Sequence, residues 1–596
     1  MSQYLHDDEQ DEKQISKNRL SDFVSFMYLL RSAKKYRLPI AFAIGLMLMN
    51  SALGAFSGRL MGYLVENGFA QKNYHQAFLI AAGIVIVEIL AISSMWFGRR
   101  MLSKNATLTI YSIRRHLFSH LQSLPLSYYD RQPQGRIVTR ITHDVEGIEE
   151  FFTSTLGNLI NALFTAVIFM SAMLLTDFKL GGILILSMLP AFIFIYASRN
   201  WVRKSNRAIS RFSAKLNAKL SEYLSGIEVI RVFGLEEWTK KNYSHAVDDF
   251  TRVSLWANFL FAWTRPVMIF LCTAPIICLV WFGGKGALAG TFSIGVFVTF
   301  IRYCEGFFWP IVTLANEMHV VQQAFTNAER VASFLKQDTE EKVLGPDGKI
   351  ENISLKGELI FNRVSMSYLP EQFILKDVTF HLKPGEKIGF VGPTGCGKST
   401  TVAMLSRLYE YQTGSITLDG IDLRSFKRSF LRTKIGFVSQ EVVIFRGTLR
   451  ENLDPENHAS EEQILASCRE TGLFFVMEKN QLGLNSEILE NGTNLSIGER
   501  QLLAFTRILL RNPSLLVLDE ATANIDPAYE KILHEAVHRI MVGRTCLIIA
   551  HRLETLRTCD RILVMNNGAI AEEGTLDDLI SKQGDFANYW SHTALS

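Results

Sequence analysis

Gly392-Pro393-Thr394-Gly395-Cys396-Gly397-Lys398-Ser399 fits the phosphate-binding loop pattern G-x-x-x-x-G-K-[ST]. The apolar run Lys387-Ile388-Gly389-Phe390-Val391 before it reads as a buried strand, and Thr401-Val402-Ala403-Met404-Leu405 after it reads as a helix. Strand, glycine loop and helix are the context this motif needs. Glycines let backbone N–H groups curl around phosphate oxygens without side-chain clashes. The helix N-terminus adds its positive end to the anion site. In that geometry Lys398 reaches the β- and γ-phosphates and the Ser399 hydroxyl holds Mg²⁺. The pattern therefore points to ATP and Mg²⁺.

Downstream, Leu515-Leu516-Val517-Leu518 is an aliphatic strand ending in two carboxylates. Asp519 is placed to bind Mg²⁺ through water, and Glu520 to polarise an attacking water. Cys546-Leu547-Ile548-Ile549-Ala550 is a second buried strand with His551 at its end, within reach of a γ-phosphate. Beside the helix N-terminus, Cys396 is expected to be the most reactive thiol and to be shielded by ATP.

Upstream the chain changes character. It has 596 residues, 48% of them hydrophobic, and the apolar runs concentrate in the first half. Residues 39–65, 77–97, 156–175, 180–197, 267–282 and 292–312 are each near the roughly 20 residues that cross a bilayer. Six such runs exceed what the core of a globular protein shows. The expected fold is an α-helical six-span membrane domain followed by an α/β P-loop nucleotide-binding domain. Lys34, Lys35 and Arg37 precede the first run; Arg99, Arg100, Lys104, Arg114 and Arg115 follow the second; Arg199, Arg203, Lys204 and Arg207 follow the fourth. The connections on the other side carry only Lys72, Lys179 and Lys285. By the positive-inside tendency both termini and the nucleotide-binding domain are cytoplasmic. The net charge of +4 records this loop bias and indicates no nucleic-acid partner.

Expected boundaries follow composition. Residues 1–20 form a mobile acidic N-terminus, unlike the basic start of a signal peptide. Residues 21–335 form the membrane domain, 336–355 a polar linker, and 356–596 the nucleotide-binding domain. Two long basic loops carry breaks, Ser127 to Arg136 with Pro133 and Gly135, and Leu224 to Arg231 with Gly226. They read as helix–turn–helix tips of spans that continue into the cytoplasm. The seven cysteines show no metal spacing and are expected to be free thiols.

In order and type these parts resemble an ATP-binding cassette (ABC) half-transporter of the exporter type, similar to subunits of bacterial heterodimeric multidrug exporters. The most specific element is Leu495-Ser496-Ile497-Gly498-Glu499-Arg500-Gln501, similar to the family signature L-S-G-G-Q. The resemblance implies that Thr400 joins residues 392–399 at the nucleotide and that Tyr368 stacks on adenine. It implies that Gln440 sits at the Mg²⁺ and membrane-domain junction, and that Asn524 and Asp526 link two nucleotide sites. Residues 126–144 and 221–233 look like the family's coupling regions. Ser496, Gly498 and Glu499 would contact the ATP of a partner. One phosphate loop and one signature imply pairing with a second half-transporter, and a bacterial inner-membrane location. The implied activity is ATP hydrolysis coupled to export of a small molecule or lipid by alternating access.

The signature departs from the pattern. Ile497 replaces a glycine, a mild change, and Glu499 replaces glutamine. A carboxylate near a triphosphate is like-charge and is expected to weaken that contact. A complete catalytic half-site beside an imperfect signature favours a heterodimer over a homodimer. Glu88, Arg302 and Glu305 fall within predicted spans, where ionisable groups often line a cavity. Arg302 and Glu305 are three apart, so they are expected to pair on one helix face. Drug efflux leads; a lipid floppase or envelope-material exporter, an ATP-gated channel and a membrane regulator remain the alternatives.

Overall fold

A computed structural model describes residues 36–288, 293–369, 372–439, 442–519, 527–550, 553–582 and 584–587. The expected acidic N-terminus lies outside them. By contacts the chain divides into two compact units.

The first unit, residues 1–122 and 134–337, is all helical where described. Among the described residues, six helices are long and apolar enough to cross a membrane: Arg37–Ala70, Tyr74–Gln122, Gln134–Thr176, Phe178–Ser198, Glu236–Gly286 and Ile294–Leu314. Several outrun the bilayer. Tyr74–Gln122 has 49 residues, about 70 Å at the α-helical rise. Its apolar part ends near Phe97, and a basic, still helical extension follows. Small residues set the packing. A Cβ on Gly62 of the first span would stand 2.4 Å from the Gly295 carbonyl oxygen of the sixth. Without an apolar driving force in lipid, such close backbone approach is what holds spans together. The tips are short helices. Ile227–Phe233 is closed by Gly234 in the left-handed conformation.

The second unit, residues 123–133 and 338–596, carries twelve strands among the described residues. In chain order they are β1 (Leu359–Leu369), β2 (Gln372–Leu382), β3 (Lys387–Val391), β4 (Thr413–Leu418), β5 (Ile421–Asp422) and β6 (Ile435–Val438). Then come β7 (Gly447–Thr448), β8 (Glu487–Ile488), β9 (Leu515–Asp519), β10 (Thr545–Ile549), β11 (Arg561–Asn566) and β12 (Ala569–Gly574). Six form one sheet in the order β12-β11-β3-β10-β9-β6, parallel except for β12. Its central strands read as unbroken apolar runs because both faces are covered. Leu516 and Leu518 of β9 enter one buried cluster with Cys546 and Ile548 of β10. Leu515 and Val517 enter the other with Leu547 and Ile549. A separate antiparallel sheet, β2-β1-β4-β5, packs in that second cluster.

Residues 338–355 pack onto this unit. The Arg428 N–H donates to Asp347 at 2.8 Å, Arg432 pairs with Glu340, and Lys427 pairs with Glu351.

Candidate functional site

The parallel order of β6, β9, β10 and β3 places their carboxyl ends along one edge. Ligands of open α/β sheets bind at that edge. Asp519, the last residue of β9, is level with Ile549 of β10, which is level with Phe390 of β3. Gln440, Glu520, Asn524, Asp526 and His551 lie outside the described residues. The strands that lead into the first two and the last, β6, β9 and β10, all end at this edge.

The loop after β3 is shaped by its glycines. A Cβ on Gly397, at φ +109°, would stand 2.4 Å from Leu375 Cδ2. Gly395, at φ +86°, faces open space. Pro393, Thr394 and Ser399 are exposed, whereas Lys398 and Thr400 are buried. The Lys398 ammonium donates to the loop's own carbonyls, Gly392 at 2.7 Å and Pro393 at 3.0 Å. The helix Lys398–Leu405 starts directly from the loop. An open cradle, an adjacent ammonium, an exposed hydroxyl at Ser399 and a carboxylate at Asp519 fit a Mg²⁺–nucleotide. Cys396 differs from the expectation of a reactive thiol. It is 4% exposed and lies under the loop, with its Sγ 3.6 Å from Lys398 Nζ.

Tyr368 lies near the end of β1. Its hydroxyl donates to Thr400 Oγ1 at 3.2 Å, so the ring stands beside the loop helix. It meets Tyr409 edge to face, with ring centroids 4.7 Å apart. Tyr409 in turn donates to the Asp130 carboxylate, and Arg131 donates to the Tyr368 carbonyl at 3.4 Å. Burial, then the Asp130 hydrogen bond, push the Tyr409 phenol up. Thus the short helix Leu126–Arg131 groups with this unit and touches the tyrosine predicted to stack on adenine.

The signature is where structure and expectation part. Ser496 caps the helix Ile497–Arg511 in a capping box with Glu499. The Ser496 N–H donates to Glu499 Oε2 at 2.8 Å, and the Glu499 N–H donates to Ser496 Oγ at 3.3 Å. Asn480 and Tyr529 donate to Oε1 at 2.9 and 2.8 Å. Glu499 is buried, and its carboxylate is directed at its own helix start rather than outward. Burial pushes the carboxyl up, but the hydrogen bonds from Ser496, Tyr529 and Asn480 outweigh it and hold the carboxyl below its usual range. The carboxylate is therefore engaged by donors of its own chain, Ser496, Asn480 and Tyr529. Gly498 packs inward, where a Cβ would come within 3.1 Å of Tyr529 Cβ. The residues that face out are Ser496 and Ile497, the latter 47% exposed.

In the membrane unit Arg302 and Glu305 pair at 3.2 Å, and Ser57 of the first span donates to Glu88 at 2.6 Å. Sequence reading missed two further polar links. Ser293 donates to Glu66 at 2.8 Å. Arg99 donates to Asn158 at 3.1 Å, and Asn158 to Glu317 at 2.8 Å. An ionisable residue inside an apolar run was the available signal, and Glu66, Arg99 and Glu317 stand at the ends of such runs.

Residues 40–311 match the ABC transporter transmembrane region family, and residues 375–523 match the ABC transporter family. The chain is 31% identical over 91% of its length to a Bacillus subtilis protein named uncharacterized ABC transporter ATP-binding protein, covering 90% of that protein. It is 30% identical over 82% of its length to a second Bacillus subtilis protein, named probable multidrug resistance ABC transporter ATP-binding/permease protein, covering 72% of it. It is 28% identical over 94% of its length to the ATP-dependent lipid A-core flippase of Syntrophus aciditrophicus, covering 93% of it.

Proposed function

This chain belongs to the ABC transporters, a multi-pass membrane protein that couples ATP hydrolysis to export as part of a dimer, and on that premise we propose which residues do the work and on what. The substrate is an amphipathic small molecule or a lipid. The names of two relatives, one for multidrug resistance and one for lipid A-core, support that class. The membrane is the bacterial inner membrane, with both termini and the nucleotide-binding unit cytoplasmic. The arginine and lysine bias of the loops supports that orientation.

Residues 392–400 hold the triphosphate. Phosphate oxygens replace the Gly392 and Pro393 carbonyls as partners of the Lys398 ammonium. Ser399, Gln440 and Asp519 would hold Mg²⁺, which would supply charge neutralisation at the phosphates. Tyr368 stacks on adenine. Glu520 accepts the proton of the attacking water, and His551 orients the γ-phosphate. The outward Ser496, at the positive end of a 15-residue helix, meets the ATP of the partner. Gly498 and Glu499 shape that helix start from behind. Asn524 and Asp526 connect the two sites.

The partner is a different half-transporter. What supports this reading is the pairing of Lys398, Asp519, Glu520 and His551, a full set for its own ATP, with a signature that departs from the family pattern at Ile497 and Glu499. One observation carries the whole assignment: a phosphate loop and a carboxylate-ended strand share one sheet edge, in a chain with six candidate spans.

Inverted vesicles containing the chain with its partner test the reading. They are expected to accumulate a fluorescent amphipathic cation, or to translocate labelled phospholipid, only with ATP. Lys398→Ala is expected to abolish that uptake together with nucleotide binding. Uptake unchanged in Lys398→Ala would overturn the assignment.

A further inference from the structure

One face of the second span changes chemistry along its length in the order of a lipid molecule. Val85, Ile89 and Ile92 are 57%, 57% and 66% exposed and lie four and three residues apart, on one stripe. Trp96 continues the stripe at the next turn, 52% exposed. Arg99, Arg100 and Ser103 continue it beyond. Aliphatic, aromatic, cationic and hydroxyl groups follow one another over about five helical turns. Tryptophan at the border of an apolar stripe marks the level of lipid headgroups.

At that level a cavity of 530 Å³ opens between the first three spans. Its floor is apolar, formed by Met47 and Leu102 with Gly157, where a Cβ would come within 3.1 Å of Leu102. Its walls carry the hydroxyls of Ser103 and Ser154, with Thr153 beside them, whose own hydroxyl donates to the Glu149 carbonyl at 2.8 Å. The ionisable groups that line it are both cationic, Arg99 and Arg100. The Arg100 guanidinium lies over the Trp96 ring, 5.1 Å from its centroid. Arg99 is held from behind, since Asn158 accepts one of its N–H groups while donating to Glu317. A guanidinium has five donors in a planar fork, so this one link leaves N–H groups for an oxyanion. The nearest carboxylate of the network, Glu317, stands behind the asparagine rather than in the cavity wall.

We propose that this cavity binds the phosphodiester headgroup of an anionic glycerophospholipid, whose acyl chains lie along the Val85–Trp96 stripe. Arg99 and Arg100 bracket the phosphate, the Ser103 and Ser154 hydroxyls take the glycerol or headgroup oxygens, and Trp96 marks the ester level. Charge and shape both enter the choice. Two guanidinium groups select a phosphate oxyanion, and the apolar stripe contiguous with the cavity selects one that carries hydrocarbon. The leaflet follows from the orientation proposed above. The lipid contact itself does not depend on that orientation or on the transported substrate.

The test uses the full-length transporter in nanodiscs of phosphatidylcholine with graded phosphatidylglycerol. Lipid retained per protein after transfer to detergent is read by native mass spectrometry. Wild type is expected to retain phosphatidylglycerol over phosphatidylcholine. Arg99→Gln with Arg100→Gln is expected to lower that retention about tenfold, the change that 1.4 kcal/mol produces. Lys104→Gln removes one positive charge a turn from Arg100, as Arg100→Gln alone does, but outside the cavity, and is expected to leave retention unchanged. If the double variant does not fold, Arg100→Gln alone serves, because it leaves the Arg99–Asn158 link intact. A free-phosphate site would show inorganic phosphate displacing the lipid in wild type; that outcome overturns the proposal. Equal retention by wild type and the arginine variants, or equal losses with Lys104→Gln, also overturns it. Because the readout is retained lipid, a failure here is distinct from a failure of ATP-driven transport.

Discussion

Glu499 shows how one residue's role depends on where its own neighbours turn it. Glutamine and glutamate at the third residue after a serine N-cap both complete a capping box, so the helix start survives either. We therefore expect Glu499→Gln to change the ATPase rate less than about twofold, because the carboxylate is engaged by Ser496, Asn480 and Tyr529 of its own chain. An ATPase rise of tenfold would restore the like-charge explanation. Tyr529→Phe removes one donor to a buried carboxylate and is expected to cost about 1 kcal/mol in stability by denaturant unfolding of the purified protein. The sign with pH follows from the direction of the Glu499 shift. Its carboxyl is lower in the folded chain than in the unfolded one. Its stabilising contribution is complete above the ordinary glutamate value near 4.3 and is lost as pH falls through the lower folded value. The stability gap between wild type and Glu499→Gln should close over that acid range; a gap widening toward acid would contradict the assignment. The Ser496-x-x-Glu499 spacing is that of a capping box, but the resemblance to the signature led the sequence reading to turn Glu499 toward a triphosphate instead. Asn480 and Tyr529 were not legible in the sequence, because they reach Glu499 from 19 and 30 residues away.

At the scale of elements, the apolar runs located the spans, since a bilayer sets both length and composition. They did not show how far the helices continue, because beyond the bilayer helical backbone no longer needs apolar side chains. The antiparallel sheet was also illegible. β1 carries a mixed burial pattern with register shifts against β2 and β4, so the two-residue alternation that marks a half-buried strand is broken. Gly62 and Gly295 give a direct test of packing between the first and sixth spans. A Cβ on Gly62 would stand 2.0 Å from Thr299 Oγ1, whereas Gly83 has nothing within 4 Å. Gly62→Leu is expected to reduce the yield of folded protein in membranes severely, and Gly83→Leu to leave it near wild type. Equal yields would show that the contact does not matter. The helix Leu126–Arg131 is tied to the tyrosine pair through Asp130 and Arg131. Asp130→Ala should keep basal ATPase within about threefold while lowering transport-linked stimulation, as expected of a group that links elements rather than contacts phosphate. Full substrate stimulation in that variant would remove the helix from the coupling path.

Over the whole molecule the account is a division of labour. Among the described residues, six helices are long and apolar enough to cross a membrane, and the phosphate loop and Asp519 stand at one sheet edge; the proposed second chain would complete each ATP site. The sheet edge was legible because strand, loop and helix are contiguous at residues 387–405. The 530 Å³ cavity was not, since Met47, Arg100 and Thr153 come from three different spans. Glu520→Gln in the purified, co-expressed dimer bears most directly on the central claim. The amide keeps the shape of the carboxylate without its basicity, and loss of a general base lowers rates by about 10² to 10⁴. Measured side by side, the variant should bind and retain Mg–ATP with near-wild-type affinity while its hydrolysis falls by at least about 10². Hydrolysis close to the wild-type rate would contradict the claim that this chain carries the working catalytic half-site of an ATP-driven exporter.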